Sequence, residues 1–282
     1  MDALASFAPH DLRCLRTDTF LREVEHHSEI GSTNDRALTL CVEETLPVPY
    51  LILTERQTAG RGRGANRWWS SDGALLFSLI IDATEYSLPE SRWPQMSLAV
   101  GVAVCEVRHR LVDATTTGAS TPSLSHTVGL KWPNDVWLNG RKACGILVEI
   151  PPARRGRLVI GVGLNVNNSF ESAPAELQSL ATSLCDETNA AFDRTAVLTA
   201  LLRLLDADLQ RLAVGDASLV ERWQSRCVLR DRVVSLDTGQ QLITGRCLGI
   251  AADGALRLQS ATGEQRFFGG VIRHIESVSV RD

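Results

Sequence analysis

Lysine is almost absent from this chain. Of its 29 basic residues only Lys131 and Lys142 are lysines, and every other one is arginine. The two lysines also lie close together, within the stretch 131–142. A lysine ammonium is a compact point charge, whereas an arginine guanidinium is a flat fork of donors, so the two do not substitute for each other in a tight anion site. The two lysines are therefore candidates for a shared role.

Long apolar runs are missing as well. Runs such as residues 74–81 are far shorter than the roughly 20 residues that a membrane-spanning helix needs. The start of the chain lacks the basic region and the apolar core of a secretory signal. These two absences predict that the protein has no membrane partner and a cytoplasmic location.

Neither paired cysteines nor clustered histidines occur. The seven cysteines show no C-x-x-C spacing, and His26–His27 is the one close pair among the six histidines. This pattern argues against a disulfide framework or a zinc site and is typical of a reducing compartment. The net charge is only −4, so the chain has no overall attraction to nucleic acid, and we expect no nucleic-acid partner.

The chain is long enough for one large and one small domain, with 282 residues. Short β-branched runs between residues 50 and 166 predict a sheet, and the amphipathic segments 95–111 and 194–212 predict helices that pack on it. Residues 115–127 are rich in Ser, Thr and Gly and predict a loop. From Val228 onward, short strands with glycine-containing turns indicate a small antiparallel barrel. The predicted organisation is an N-terminal extension (1–25), a large α+β domain (26–225) and the barrel (228–282).

The stretch with both lysines predicts a β-hairpin. Asn139-Gly140 lies between two apolar runs and favours a type I′ turn, in which both central residues have positive φ. Lys142 then begins the second strand, and Lys131 precedes the first. A hairpin that folds back in this way brings both ammonium groups to one cleft. The alternative is that the two lysines fell together by chance on a solvated hairpin.

Residues 57–69 form a segment rich in arginine and glycine, called the arginine loop below. Its glycines alternate with Arg61 and Arg63, which exposes backbone N–H groups and guanidinium groups to an anion. The spacing matches neither the G-x-x-x-x-G-K-[ST] nor the G-x-G-x-x-G nucleotide motif. Because the segment has no acid partner of its own, we expect it to be mobile until a ligand binds. Of Trp68 and Trp69, one can stack on a purine and one belongs to the core. The alternative interpretation of the whole segment is a short arginine/glycine run that binds RNA.

Two further segments present small or polar groups. Ser32, Thr33 and Asn34 begin a predicted helix with Ser32 as its N-cap, and the same short side chains suit a small polar head group. The segment 161–167 has two glycines on one strand face, where a ligand or another backbone can approach closely. Asn165 follows on that face and could contact the edge of a base.

The order of these motifs is more specific than any one of them. S-T-N is followed by G-R-G-R and a tryptophan, then by K-W-P-N-D, R-K-x-x-G-I-L-V-E and G-x-G-x-N, and finally by the barrel. This order resembles that of biotin protein ligases over roughly residues 25–280. The resemblance implies a biotin/lipoate ligase-like catalytic domain, with a mixed central sheet flanked by helices, and a C-terminal SH3-like β-barrel. It is closest to the short form of the family, without an N-terminal DNA-binding domain.

The resemblance also implies an ATP-dependent, AMP-forming reaction in two steps. Biotin and ATP first give biotinyl-5′-adenylate and pyrophosphate, with Mg²⁺ as the accompanying ion. A lysine of a biotin carboxyl-carrier protein, or of the corresponding domain of a biotin-dependent carboxylase, then attacks the mixed anhydride. Both a monomer and a homodimer are left open.

Site residues follow by matching the motifs of the family to positions of this sequence. The implied catalytic residues are Lys142, which bridges the biotin carboxylate and the α-phosphate, together with Arg63 and Lys131; Asp135 is the implied Mg²⁺ ligand. The implied biotin-binding residues are Ser32, Thr33, Asn34, Gln57, Gly60, Arg61, Lys142, Gly145, Gly161 and Gly163. The implied ATP- or adenylate-binding residues are Arg61, Arg63, Trp68, Lys131, Asn134, Asp135 and Asn165.

Two other functions compete with this one. Lipoate ligases and octanoyl transferases share a related fold, and Cys144, two residues after Lys142 on the same predicted strand face, imitates the nucleophile of an octanoyl transferase. K-W-P-N-D and the barrel favour a biotin ligase instead. A non-catalytic biotin sensor or DNA-binding repressor would keep the residues that bind biotin but would need neither Lys142 nor Arg63.

Overall fold

The structure is a computed structural model that describes residues 6–116, 127–171 and 173–276. Residues 117–126 of the predicted loop lie outside these ranges. The helices are α1 (Pro9–Asp18), α2 (Thr33–Leu40), α3 (Met96–Thr116), α4 (Ala175–Gln178), α5 (Leu184–Thr188), α6 (Arg194–Ala213) and α7 (Ser218–Gln224), and Glu90–Gln95 forms a 3-10 helix. The strands are β1 (Glu23–Ile30), β2 (Tyr50–Gln57), β3 (Leu75–Asp82), β4 (Val128–Lys131), β5 (Asp135–Leu138), β6 (Arg141–Glu149), β7 (Arg157–Leu164), β8 (Val233–Asp237), β9 (Leu242–Ile250), β10 (Leu256–Ser260), β11 (Gly263–Phe267) and β12 (Val271–Ile275).

The larger sheet is mixed, as the sequence predicts. Within the described ranges it has the order β1-β2-β3-β7-β6-β5-β4, and β1 runs parallel to β2 while every other neighbouring pair is antiparallel. Side chains alternate between its two faces, so that Leu51 and Leu53 join the main core and Ile52 packs under α2. Every residue of the central strand β7 is buried. The sheet is therefore covered on both faces and forms a rigid support for the loops at its edge.

Both helices predicted from periodicity are confirmed. The apolar stripe of α6 at Leu198, Leu201, Leu202, Leu205 and Leu209 is at most 1% exposed. The helix begins where the Asp193 carboxylate accepts hydrogen bonds from two backbone N–H groups of its first turn. The stripe of α3 is buried in the same core, and α3 packs against α6 and β6. None of the described helices has the length and apolarity to cross a membrane.

The second sheet is antiparallel and lies at the C-terminal end of the described chain. Its order is β11-β10-β9-β8-β12, which leaves β11 and β12 at its edges. It contacts the first part of the chain through hydrogen bonds from Trp132 Nε1 to the Gly254 carbonyl (3.3 Å) and from Gln95 Nε2 to the Ala252 carbonyl (3.2 Å). The mixed α+β fold with a second, antiparallel unit is thus confirmed, and the exact domain limits stay a prediction.

The N-terminal segment is fastened to the core by one carboxylate on β2. Glu55 accepts hydrogen bonds from the backbone N–H of Phe7 (2.9 Å) and the hydroxyl of Ser6 (2.7 Å), His26 Nε2 lies 3.0 Å away, and Arg194 at the start of α6 pairs with it at 2.8 Å. Burial alone would raise the pKa of Glu55, but these hydrogen bonds and the arginine charge outweigh burial and lower that pKa from 4.5 to about 2. The strand β1 begins at Glu23, before the predicted end of the extension at residue 25, so the N-terminal segment continues directly into the sheet.

We expect Glu55→Gln to weaken the fold by about 3 kcal/mol at neutral pH, because it removes one partner of a buried ion pair. A lowered folded-state pKa means that the carboxylate stabilises the fold fully above pH 4.5 and that this stabilisation is lost as the pH falls towards 2. The stability of the variant should therefore fall less over that interval, as measured by urea denaturation at stepped pH. Glu29→Gln, at an exposed carboxylate of β1, is the control. Equal losses in wild type and variant between pH 4.5 and 2 would contradict the assignment.

Candidate active site

A cavity of about 450 Å³ lies where α2, the arginine loop, strands β4 to β7 and the second sheet meet. Every site residue named from the sequence lines it except Gly60. Gly60 lies behind the wall, where a Cβ atom would come within 2.8 Å of the Trp68 carbonyl oxygen. The structure thus gathers residues from positions 32 to 165 around one space. The role of each of them stays a prediction.

One end of the cavity carries an uncharged polar array, the side chains of Ser32, Thr33, Asn34 and Gln57, called the head-group array below. Ser32 caps α2 as predicted, since its hydroxyl accepts from the Asp35 N–H at 3.4 Å. The Thr33 N–H donates to Gln57 Oε1 at 2.9 Å. The first three side chains are at most 4% exposed, so each needs a hydrogen-bond partner inside the protein or on a ligand.

Ser78 supports this array and was not identified from the sequence. It is fully buried on β3, and its hydroxyl lies 2.8 Å from Thr33 Oγ1 and 2.5 Å from Asn34 Oδ1. Its one signal in the sequence is a single hydroxyl in the otherwise apolar run of residues 74–81. A buried hydroxyl in such a strand needs a partner, but only the fold shows which one.

A strip without side chains, formed by Gly161, Gly163 and Gly145 and called the glycine strip below, runs along the cavity floor. Gly145 and Gly163 are paired across β6 and β7, and Trp68 lies on them: a Cβ atom at Gly163 would be 2.5 Å from the indole and one at Gly145 2.8 Å from it. A Cβ atom at Gly161 would be 2.0 Å from Asn34 Oδ1. These contacts are too short for any larger residue, as the close approach predicted from the sequence requires.

The hairpin predicted around Asn139-Gly140 is confirmed. Both residues have positive φ, 48° and 81°, and β5 pairs with β6 around them. A bulge interrupts this pairing, because Val136 faces Cys144 but Trp137 already faces Lys142, so that one residue of β6 is extra.

The bulge decides where Lys142 and Cys144 point. Cys144 is fully buried in the core, whereas the Lys142 ammonium lies in the cavity and pairs with Asp135 at 2.7 Å. The prediction that the two residues share a strand face is therefore wrong, since an extra residue reverses the alternation of side chains. Burial also raises the pKa of the Cys144 thiol.

Lys131 and Arg63 are two further cations of the cavity, and each contacts a group in or next to one of the two sheets. Lys131, the last residue of β4, places its ammonium 4.6 Å from the centre of the Trp137 ring, and burial lowers its pKa while the nearby charge of Asp135 opposes that shift. Arg63 donates from Nη1 to the Gly270 carbonyl of the second sheet at 3.2 Å, and burial lowers its pKa as well. Both groups thus sit partly out of water, where an anion is bound more strongly.

Arg61 has two acid partners, so the expectation that the arginine loop has none is wrong at this residue. Its guanidinium pairs with Asp35 at 2.6 Å and with Glu149 at 2.6 Å. The hydrogen bonds to Glu149 raise the pKa of Arg61, and burial, which acts in the opposite direction, does not cancel that shift. Glu149 closes the motif G-I-L-V-E, but its distance from the loop along the chain concealed this contact.

Asn134 and Asn165 line the cavity, yet each donates its amide N–H to backbone: to the Ile146 carbonyl at 2.7 Å and to the Thr182 carbonyl at 3.0 Å. They therefore hold the cavity wall in place, and only their remaining atoms can face a ligand. The second sheet adds Gly270, Val271 and Ile272 to the lining, and none of these was identified from the sequence.

The charge of the cavity is strongly one-sided. Among the described residues that line it, Asp135 is the one carboxylate, against five cations. The part of the chain that the structure describes contains no group of three or more His, Cys, Asp or Glu residues able to hold a metal ion. The cavity is thus suited to a polyanion, next to a neutral polar group in the head-group array. The cations are Arg61, Arg63, Arg67, Lys131 and Lys142.

Comparisons with known proteins agree with this geometry. The sequence model of the Biotin/lipoate A/B protein ligase family matches residues 28–167. A biotin–[acetyl-CoA-carboxylase] ligase of Mycobacterium tuberculosis is 33% identical over 234 residues, which cover 82% of this chain and 80% of that protein. The chain belongs to the biotin protein ligase family. The bifunctional ligase/repressor BirA of Escherichia coli is 30% identical over 244 residues, 86% of this chain and 71% of that protein. A biotin protein ligase of Aquifex aeolicus, solved in complex with biotin and ATP, has a TM-score of 0.73 and 26% identity over 91% of this chain and 99% of that chain.

Gly163→Ala tests the contact between Trp68 and the glycine strip. We expect it to cost about 1–3 kcal/mol of folding free energy, because the added methyl group overlaps the indole. This loss of folding free energy should largely disappear when Trp68 is also replaced by alanine. A double-mutant cycle of thermal unfolding measures the difference between the two backgrounds. Gly31→Ala is the matched control, since a Cβ atom there meets nothing within 4 Å. Equal costs of Gly163→Ala in both backgrounds would show that Trp68 does not lie on the strip.

Proposed function

We propose that this protein is a biotin protein ligase, which converts biotin and ATP to biotinyl-5′-adenylate and transfers the biotinyl group to a lysine of a biotin carboxyl-carrier protein. The observation that carries this proposal is the layout of the cavity. The glycine strip begins against Asn34 in the head-group array and ends against Lys142, where a Cβ atom at Gly145 would lie 3.2 Å from Nζ. The ring of biotin would lie at one end and the triphosphate among the cations at the other. The biotin carboxylate and the α-phosphate would then meet at Lys142.

The first step joins two anions, and the cations of the cavity make that approach favourable. A carboxylate oxygen of biotin attacks the α-phosphorus of ATP, and the bond to the departing pyrophosphate breaks. Lys142 is the ammonium that touches both the carboxylate and the α-phosphate, and its pairing with Asp135 holds the side chain in place before the ligands arrive. No side chain of the protein has to act as a nucleophile.

The second step needs an intermediate that stays in the cavity until the carrier protein arrives. The amine of the carrier lysine attacks the carbonyl carbon of the mixed anhydride, and AMP leaves. The arginine loop is well placed to cover the adenylate, because Arg63 ties it to Gly270 while Trp68 lies on the glycine strip. Trp68 would stack on the adenine, and Lys131, Arg61 and Arg63 would bind the phosphates.

The fit of the site to Mg²⁺ is limited to one carboxylate, Asp135, which is already paired with Lys142. A magnesium ion is often bound by one or two carboxylates together with substrate phosphates and water, so Asp135 suffices if the ion arrives with ATP. Its contribution when bound is to offset the charge of the triphosphate. We also propose a cytoplasmic location and no DNA-binding role, on the composition and charge of the chain.

The two competing functions have less support. An octanoyl transferase needs an accessible thiolate, but Cys144 is fully buried and its pKa is raised. A sensor without catalysis has no use for Lys142, yet both lysines of the chain line the same cavity. That coincidence is hard to reconcile with lysines placed by chance on a solvated hairpin.

The proposal is tested by ATP–pyrophosphate exchange with biotin, lipoate, octanoate or no added acid. We expect exchange with biotin only, because an uncharged polar array matches a ring with N–H and C=O groups and not an alkyl chain or a disulfide ring. Exchange that depends on lipoate would indicate that the protein is a lipoate ligase. No exchange with any acid would make it a binding protein.

Lys142→Ala should slow adenylate formation by several orders of magnitude with little change in stability, because an ammonium at the reacting centre is lost from a half-buried position. Lys142→Arg should restore little, since a planar guanidinium does not fit where a point charge touches two anions. Single-turnover rates of adenylate formation measure both. Arg141→Gln, at the neighbouring cation that pairs with Glu187, is the control. A rate near wild type in Lys142→Ala would remove Lys142 from the mechanism, and a rate near wild type in Lys142→Arg would contradict the requirement for a point charge.

A further inference from the structure

The two lysines of the cavity have partners of different kinds, and both partners lie on the short strand β5. Asp135 pairs with the Lys142 ammonium at 2.7 Å, and the centre of the Trp137 ring lies 4.6 Å from the Lys131 ammonium. Asp135 and Trp137 alternate along β5 with residues that are buried in the main core. The two partners therefore share the opposite face of the strand, on the side of the ammonium groups.

Strand register places the indole of Trp137 beside Lys131. In the pairing of β4 with β5, Lys131 lies opposite Asp135 and Gly129 lies opposite Trp137. Because glycine has no side chain, the neighbour of the indole on that face of β4 is the residue two positions on, Lys131. Diagonal neighbours of this kind are within reach of each other when one is aromatic and the other is long. The ammonium of Lys131 accordingly lies over the ring.

The ring positions Lys131 without cancelling its charge. No carboxylate of the described residues is in ion-pair contact with Lys131, and the charge of Asp135, which acts on it from further away, is already shared with Lys142. A carboxylate partner would neutralise the ammonium and repel a phosphate. An aromatic ring attracts a cation through its quadrupole and carries no net charge. The full charge of Lys131 thus stays available to an anion in the cavity.

Packing alone is a poor explanation for an indole at position 137. The Nε1 atom of Trp137 is buried and has no hydrogen-bond partner among the described residues. An unpaired buried donor destabilises a fold, and leucine or phenylalanine in the same place would avoid that loss. Trp132 and Trp93, by contrast, donate from Nε1 to backbone carbonyls. Tryptophan offers a cation the strongest face of the aromatic side chains, which accounts for its presence beside Lys131.

We propose that Trp137 is a positioning residue that holds the Lys131 ammonium at the cavity wall, through a cation–π contact, for the phosphates of ATP. Trp137 is not among the described residues that line the cavity, so it acts through Lys131, which does line it. The inference rests on the proposed function and adds to it the means by which two ammonium groups are kept in place at one site. Because Lys131 and Lys142 repel each other, each needs a partner of its own.

The test is biotin-dependent ATP–pyrophosphate exchange by Trp137→Leu, measured with Lys131 present and again in a Lys131→Met background. With Lys131 present, we expect kcat/KM for ATP to fall by about tenfold, because the ammonium loses its partner. In the Lys131→Met background, Trp137→Leu should change kcat/KM by less than about twofold. The affinity for biotin, measured by calorimetry, should not change. A role of Trp137 in packing alone would lower kcat/KM equally in both backgrounds.

Trp137→Phe keeps a weaker aromatic face and provides the test if Trp137→Leu does not fold. It should lower kcat/KM for ATP by about threefold with Lys131 present and leave it unchanged with Lys131→Met. Trp93→Leu is the matched control, because it removes a partly buried indole that does not line the cavity, and it should leave kcat/KM unchanged. Equal losses in both Lys131 backgrounds, or no loss in Trp137→Leu, would overturn the inference. Absence of biotin-dependent exchange in wild type would overturn the proposed function, and the inference with it.

Discussion

The cavity depends on the pairing of β6 with its two neighbours. Gly145 and Gly163 face each other across β6 and β7, which leaves a groove without side chains that Trp68 partly covers. On the other side of β6, the bulge opposite Trp137 turns Lys142 towards that groove and Cys144 into the core. A shift of one residue in either pairing would place a side chain in the groove and remove the ammonium from it. The geometry of the reacting centre is therefore set by strand register.

The peptide groups of the bulge are paired elsewhere, which explains how the bulge is tolerated. Lys142 donates its N–H to the Leu180 carbonyl at 2.8 Å and accepts from the Thr182 N–H at 3.0 Å, and the Ala143 carbonyl accepts from Asn165 at 2.9 Å. The segment around residue 181 thus completes the sheet at the point where β5 leaves it. Because buried backbone groups must be paired, this segment and the lysine position stabilise each other.

The scarcity of lysine has a physical counterpart in the structure. Both ammonium groups lie in the cavity, while the described arginines outside it mostly pair with carboxylates or backbone carbonyls. Lys131 is half-buried beside an aromatic ring and Lys142 lies against glycine, and both present a compact ammonium to the cavity instead of a planar fork with five donors. Arginine serves where a rigid, bidentate contact is wanted, as at Arg61 with Glu149.

What the sequence determined by itself is local. Periodicity located α3 and α6, Asn139-Gly140 located the hairpin, and the order of motifs indicated the family and about half of the residues that line the cavity, because these signals depend on neighbouring residues. The tertiary structure alone decided the bulge that separates Lys142 from Cys144, the acid partners of Arg61, and the place of Ser78 beneath the head-group array. Each of these depends on contacts between segments that are distant in the chain, which composition and motifs do not determine.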